Sequence, residues 1–346
     1  MSDLLLGLLE RYSPSCHEAE AVHFLTDWMR AQGFRAFTDA VGNACGLRGD
    51  EAAPNLLLLL GHIDTFPGQI PVRVEEGVVY GRGSVDAKGS LCAFAEATAQ
   101  ADLPPAWRVL VVGAVEEETA SSKGAHYIKE AYTPALCIIG EPSGADRLTL
   151  GYKGRLVLDY HLEQPMTHTA TPQASAGELG IQFWNAVSAW AAKHNRLHEK
   201  LFDQVLPSLR DIRTDNDPFT ERVKLTFSLR LPPHLPPELA LAEIRPLAHE
   251  AARLESYGAE KAYQGGKNNS LVRGMLSGIR ARGGQAGFVL KTGTSDMNVV
   301  GAVWDCPLIA YGPGDSRLDH TPNEHLSLEE YRRAVATLRH FMEHLT

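Results

Sequence analysis

The chain has 346 residues, 44% hydrophobic and 22% charged, a balance that suits an ordinary globular protein too long for one simple core. A net charge of −9 argues against nonspecific binding to nucleic acid, and no run of eighteen apolar residues offers a membrane span. MSDLLLGLLERYS carries an acid where a secretory signal needs basic residues, so a cytoplasmic location is expected. The five cysteines are scattered in no zinc-like spacing and are expected to be buried free thiols.

In chain order, Ser15-Cys16-His17-Glu18 predicts a capping box that opens a helix with Val22, Leu25 and Met29 on its apolar face and Gly33 past its end. Short strands at 35–37 and 44–48 lead to residues 56–60, five consecutive leucines that predict a strand buried on both faces of a parallel sheet. It runs through Gly61 into His62-Ile63-Asp64, where alternation puts His62 and Asp64 on one side. An imidazole beside a carboxylate at a strand end suits a metal ligand and the acid that orients it, although an isolated His-x-Asp is more often a satisfied core histidine. A hairpin, 72–74 with 78–80, turns at Glu75-Glu76-Gly77. Then GRGSVDAKG (81–89) supplies a third candidate ligand, Asp86, on a glycine-rich turn before a helix through Leu91, Phe94 and Ala95. A strand at 109–112 ends in Glu116-Glu117-Glu118, a helix follows near 123–130, and a strand at 135–139 ends in Gly140-Glu141-Pro142-Ser143. Three glutamates in a row are usually a solvated turn. Three successive buried strands that all end in ligand-type residues point instead to one site, because open α/β sheets build their sites outside the carboxyl ends of the strands.

After residue 151 the pattern changes. Residues 155–161 and 224–231 alternate like antiparallel strands, 176–194 and 238–254 read as helices, and 259–264 reads as a strand. This is an α+β insert, residues 153–265, within an α/β domain formed by 1–152 and 266–346, whose mixed, mostly parallel sheet is flanked by helices. Helical spacing resumes at 269–282, strands are expected at 288–290 and 307–310, and a second capping box, Ser327 to Glu330, opens a terminal helix.

The series His62-x-Asp64, Gly81-Arg82-Gly83 with Asp86 and Lys88-Gly89, Glu117-Glu118, Gly140-Glu141-Pro142-Ser143 and a late His320 with Glu324 resembles the dizinc amidohydrolases, the metallopeptidase family of acetylornithine deacetylase, succinyl-diaminopimelate desuccinylase, carboxypeptidase G and aminoacylase. The resemblance spans the chain with its motifs in order. It implies one metal ion held by His62 and Glu141, a second held by Glu118 and His320, and Asp86 bridging them. The ions would be Zn²⁺ or Co²⁺, Asp64 would orient His62, and Glu117 would be the general base. The family's pattern opens with aspartate where this chain has Glu116, which leaves the register of the three glutamates open, and His325 is a rival to His320. The resemblance further implies a cis peptide after Asp86, an insert domain that serves as dimerisation domain and lid, and a histidine from that domain of a partner subunit at the oxyanion. His168 in Met166-Thr167-His168-Thr169 stands where that histidine belongs.

YGRGSVDAKG, GTSDMNVVG and YGPGDSRLDHTPNE are similar to one branch of the family, which releases lysine or ornithine from the C-terminal glutamate of the amino-group carrier protein LysW in lysine and sometimes arginine biosynthesis. The alternative is a deacylase of N-acetylornithine or another N-acyl amino acid. A non-catalytic relative would lack ligands, and here every ligand position is filled. For a substrate carboxylate the candidates are Arg230, Asn268, Thr294 and Ser295. Lys153, Arg155, Lys267 and Arg273 either form a basic rim for an acidic carrier or merely solubilise the surface.

Overall fold

Five leucines in succession make the strand Asn55–His62 a core element, with Leu57, Leu58, Leu59 and Leu60 all fully buried. In the computed structural model, which describes residues 3–168, 170 and 172–346, this strand lies between Trp107–Ala114 and Leu136–Gly140, parallel to both. Leu308–Ala310 adds a further parallel strand beside Leu136–Gly140. Antiparallel strands Ala44–Arg48 and Arg35–Thr38 extend one side, and Arg147–Tyr152 extends the other. The result is the mixed, partly parallel sheet with flanking helices expected of an α/β chain. Because the three central strands share a direction, their carboxyl ends lie along one edge.

The register across these strands sets the site. Gly61 pairs with Gly113 on one side and Gly140 on the other. A Cβ on Gly61 would sit 3.2 Å from Leu91 Cβ, and one on Gly140 would sit 2.9 Å from Phe94. The glycines therefore let the helix Lys88–Gln100, buried over most of its length, press directly against the sheet. One residue beyond Gly61 and Gly140, the strands deliver His62 and Glu141.

The chain divides into two compact units: Met1–Gly151 with Gly265–Leu290 and Ser295–Thr346, and Tyr152–Gln264 with Lys291–Thr294. The second has an antiparallel sheet in the order Leu206–Asn216, Thr220–Leu231, Gly154–Pro165, Arg253–Glu260. Its core stacks Tyr160 on Phe183 at 4.4 Å under the helix Ala176–Asn195, which opens with a true capping box at Ser175 and Glu178. Two sequence expectations change here, and one strand carried none. The helix expected over 238–254 stops at Ile244 and gives way to a short 3-10 turn, Arg245–Leu247, because Pro246 cannot continue the ladder of N–H donors. The strand expected at 259–264 is divided between the end of Arg253–Glu260 and the short Tyr263–Gln264. Leu206–Asn216, unmarked by any alternating pattern, is a strand whose residues are mostly exposed. Lys153 is no surface cation either: its buried ammonium donates to the carbonyls of Leu201 and Phe202 at 3.2 and 2.8 Å and also to that of Gln204. No helix among the described residues is long and apolar enough to cross a membrane.

Candidate metal centre

At the carboxyl edge of the first unit's sheet, residues far apart in sequence meet around Asp86. Its Oδ1 lies 3.2 Å from His62 Nε2, and its Oδ2 lies 3.1 Å from His320 Nε2. His62 comes from the end of its strand and has Glu141 Oε1 4.0 Å away, at the head of the next parallel strand's exit. His320 comes from a turn near the carboxyl end of the chain and lies 3.0 Å from Glu118 Oε2. Single ligand atoms of His62, Asp86 and Glu118 all lie within 4.8 Å of one another. One carboxylate thus faces an imidazole–carboxylate pair with each of its oxygens. The peptide Asp86–Ala87 is cis.

The three glutamates part in space. Glu118 faces His320, whereas Glu116 turns away to the Ser121 hydroxyl at 2.7 Å and the Lys123 ammonium at 3.4 Å. His325 forms no part of the group. It sits in the strand His325–Ser327, with its ring against Tyr80.

Asp64, expected to orient His62 through its carboxylate, is fully buried. Nδ1 of His62 lies closer to the Asp64 carbonyl, at 3.0 Å, than to its carboxylate, at 3.6 Å. The carboxylate accepts the N–H of Glu117 at 3.1 Å, the N–H of Glu118 at 3.0 Å and the Ser15 hydroxyl at 2.7 Å. It therefore joins the histidine strand to the turn that carries two of the three glutamates. Ser15 was expected to cap a helix, and this is where the sequence reading fails. The helix Ala19–Ala31 has no side-chain cap, and Glu18 accepts the N–H of Cys16 at 2.8 Å and of Glu116 at 3.2 Å. Glu116 has a left-handed backbone, with φ of 60°. A carboxylate on its N–H helps hold that conformation. Lys88, fully buried, donates to the carbonyls of Leu8 and Arg11 at 3.0 and 2.7 Å, and burial pushes its pKa down to about 7.

The electrostatics follow from crowding. Burial raises the Glu117 carboxyl well above the ordinary range; His62 pulls it down, but Glu141, Asp296 and Glu118 add to the rise. Burial and the Asp86 charge likewise raise Glu118. Asp86 goes the other way: burial works against its charge, yet hydrogen bonds from His320 and His62 hold it below the usual carboxylate range. Asp86 and Glu118 push His320 up to about 10. Carboxylates outnumber the imidazoles in this cluster, and the excess of anionic, desolvated donors is a charge deficit that divalent cations would fill. Imidazole nitrogens and carboxylate oxygens are the donor set that suits Zn²⁺ and its first-row neighbours. The residues fit the group.

The remaining candidates are more scattered. Asn268 is exposed, ahead of the helix Ser270–Ala281 that Asn269 caps. Ser295 is buried and caps Asp296–Gly301, its hydroxyl accepting the Met297 N–H at 3.2 Å. Arg230, Thr294 and His168 belong to the second unit. There the Arg230 guanidinium donates to the Thr294 hydroxyl, and His168 is exposed with Nδ1 accepting the Ala170 N–H at 3.1 Å.

The same arrangement of sequence occurs in known proteins. A relative from Deinococcus radiodurans, a [LysW]-lysine hydrolase, is 48% identical over 335 residues, covering 94% of this chain and 91% of the relative. A putative [LysW]-lysine/[LysW]-ornithine hydrolase from Thermococcus kodakarensis is 37% identical, covering 99% and 91%. Among solved structures, an M20-family metallo-carboxypeptidase from Sulfolobus solfataricus superposes with a TM-score of 0.79 at 16% identity over 99% of each chain, a likeness of fold. A model of peptidase family M20/M25/M40 matches residues 58–344, and the chain belongs to that family of hydrolases.

Proposed function

We propose that this chain is a dimetal amide hydrolase that releases lysine or ornithine from the C-terminal glutamate of the carrier protein LysW. The substrate follows from the chain-length similarity to the Deinococcus and Thermococcus relatives. The chemistry rests on one observation: the two oxygens of Asp86 face His62 and His320 separately. In this reading His62 and Glu141 would hold one ion, Glu118 and His320 would hold the other, and Asp86 would serve both. Zn²⁺ is the favoured metal and Co²⁺ the alternative. A bound pair of such ions supplies Lewis acidity, lowering the pKa of water from about 16 toward ~7 and polarising a carbonyl oxygen.

The protein's own groups carry the protons. Glu117, positioned by its N–H on Asp64, would accept a proton from the attacking water and return it to the departing amine nitrogen. Such a role is worth about 10² to 10⁴ in rate. Asp64 keeps His62 and the Glu117–Glu118 turn in register. His168 of a second copy of the chain donates to the developing oxyanion, with the second unit as dimerisation domain and lid. Arg230 and Thr294, already joined, and Asn268 and Ser295 are the candidates for the substrate's carboxylate.

The test sets carrier-linked lysine beside N-acetylornithine, with and without chelator. The proposal expects turnover of the carrier-linked substrate to exceed that of the small one and to vanish on chelation. Preference for N-acetylornithine would move the chain to the deacylase alternative. Glu117→Ala should abolish turnover with both metals still bound, and unchanged turnover would remove Glu117 from its role.

A further inference from the structure

His62 is held by a strand, but what holds His320? It has a left-handed backbone, with φ of 60°, on the turn between Ser316–Leu318 and His325–Ser327, and 43% of its side chain is exposed. A ligand in that position is free to swing unless something fixes the plane of its ring. The partner is Phe66, whose ring lies parallel to the imidazole at a centroid distance of 4.3 Å and an interplanar angle of 12°. Phe66 is 37% exposed, so the stack lies at the surface rather than in the core.

The backbone around Phe66 is itself tied down. Thr65 N–H donates to Ser13 at 2.9 Å, Gly68 N–H donates to the Tyr12 hydroxyl at 2.9 Å, and Arg82 Nε donates to the Gly68 carbonyl at 2.9 Å. The Arg82 guanidinium lies 5.9 Å from the Phe66 ring and donates to the buried Glu324 at 2.7 Å. Glu324 in turn accepts the N–H of Val85 at 2.9 Å and of Asp86 at 3.0 Å. The backbone of Asp86 and the ring plane of His320 are thereby joined through Glu324, Arg82 and Phe66.

We propose that Phe66 is a positioning residue that sets the ring plane of His320, so that the affinity of the Glu118–His320 half of the centre depends on Phe66 while the His62–Glu141 half does not. This rests on the dimetal reading above. The experiment titrates metal-stripped wild type, Phe66→Ala, Phe66→Leu and Phe66→Tyr with Co²⁺, following both calorimetry and visible absorption, and then measures kcat and KM. The expected result is one equivalent bound as in wild type and a second bound about 10- to 100-fold more weakly in Phe66→Ala, the scale of loss when a ligand's outer support is removed. Phe66→Tyr, which keeps the aromatic face, should restore the second equivalent. Phe66→Leu, which keeps bulk without that face, should not, and it supplies the readout if Phe66→Ala does not fold. Both equivalents bound by Phe66→Leu as in wild type would overturn the proposal, and a rise in KM alone would make Phe66 a substrate contact instead. Wild type binding fewer than two equivalents would overturn the dimetal reading itself.

Discussion

The two halves of the centre are built differently. His62 and Glu141 stand at the ends of adjacent parallel strands, with side chains 2% and 11% exposed, and backbone register alone brings them together. Glu118 and His320 stand on turns, and His320 owes its place to a stacked phenyl ring and to ion-pair contacts with Glu118 and Asp86. The lesson is that sheet register gives one half its geometry as a by-product of folding, whereas the other half needs side chains whose only visible work is support. Asp86 belongs to both halves, so substitutions there should ignore the distinction. Asp86→Asn should lower affinity for both equivalents by about 10² to 10⁴, the cost of removing one partner from a buried charge cluster, as read by metal titration. Loss of a single equivalent would show that Asp86 does not bridge.

Away from Asp86 the halves should separate. His62→Ala removes a buried ring and strands the Asp64 and Asp86 groups that face it, so the metal-free protein should lose roughly 2–4 kcal/mol of stability in denaturant melts. His320→Ala removes a half-exposed ring, so it loses less buried surface and should cost less, although each variant loses one metal equivalent. Equal destabilisation by the two would erase the contrast. Protons offer a finer test. With its pKa near 10, His320 carries a proton in the metal-free protein at pH 8, and a metal must displace it. Affinity for the second equivalent should therefore rise as pH rises toward 10. Calorimetry at pH 8 in buffers of different ionisation heat should find about one fewer proton released by His320→Ala than by wild type.

That a site lies at the carboxyl edge was legible because three successive apolar strands end in His62, the glutamates 116–118 and Glu141, and parallel order puts those ends together. The metal-ligand roles of both halves were named from family resemblance, and nothing local in LDHTPNEH separates His320 from His325. Phe66 gave no signal at all, because stacking between residues 66 and 320 has no sequence period. In the second unit the alternating strands Gly154–Pro165 and Thr220–Leu231 were readable from their buried faces, while the exposed strand Leu206–Asn216 buries too little to leave a pattern. The helix that ends at Ile244 shows local chemistry overriding periodicity, since Pro246 was in plain view. Ser15 was misread for the opposite reason: a capping pattern was present, but a buried carboxylate 49 residues away took the hydroxyl.

That hydroxyl carries the smallest expected effect. Among the described residues, Asp64 meets His62, the N–H groups of Glu117 and Glu118, and the Ser15 hydroxyl, which comes from outside the sheet and the glutamate turn. Ser15→Ala leaves the two N–H donors of Glu117 and Glu118 in place, so Asp64 stays charged and the strand-borne half keeps its ligands. What is lost is one hydrogen bond to a carboxylate, worth about 1.5–3 kcal/mol at most. If Asp64 joins the two halves as its contacts indicate, the loss should fall on the turn that carries Glu117, lowering kcat by less than about tenfold while both metal equivalents still bind. A drop in affinity confined to the His62 equivalent would instead mean that Ser15 acts through the strand, and that Asp64 serves one half of the centre rather than both.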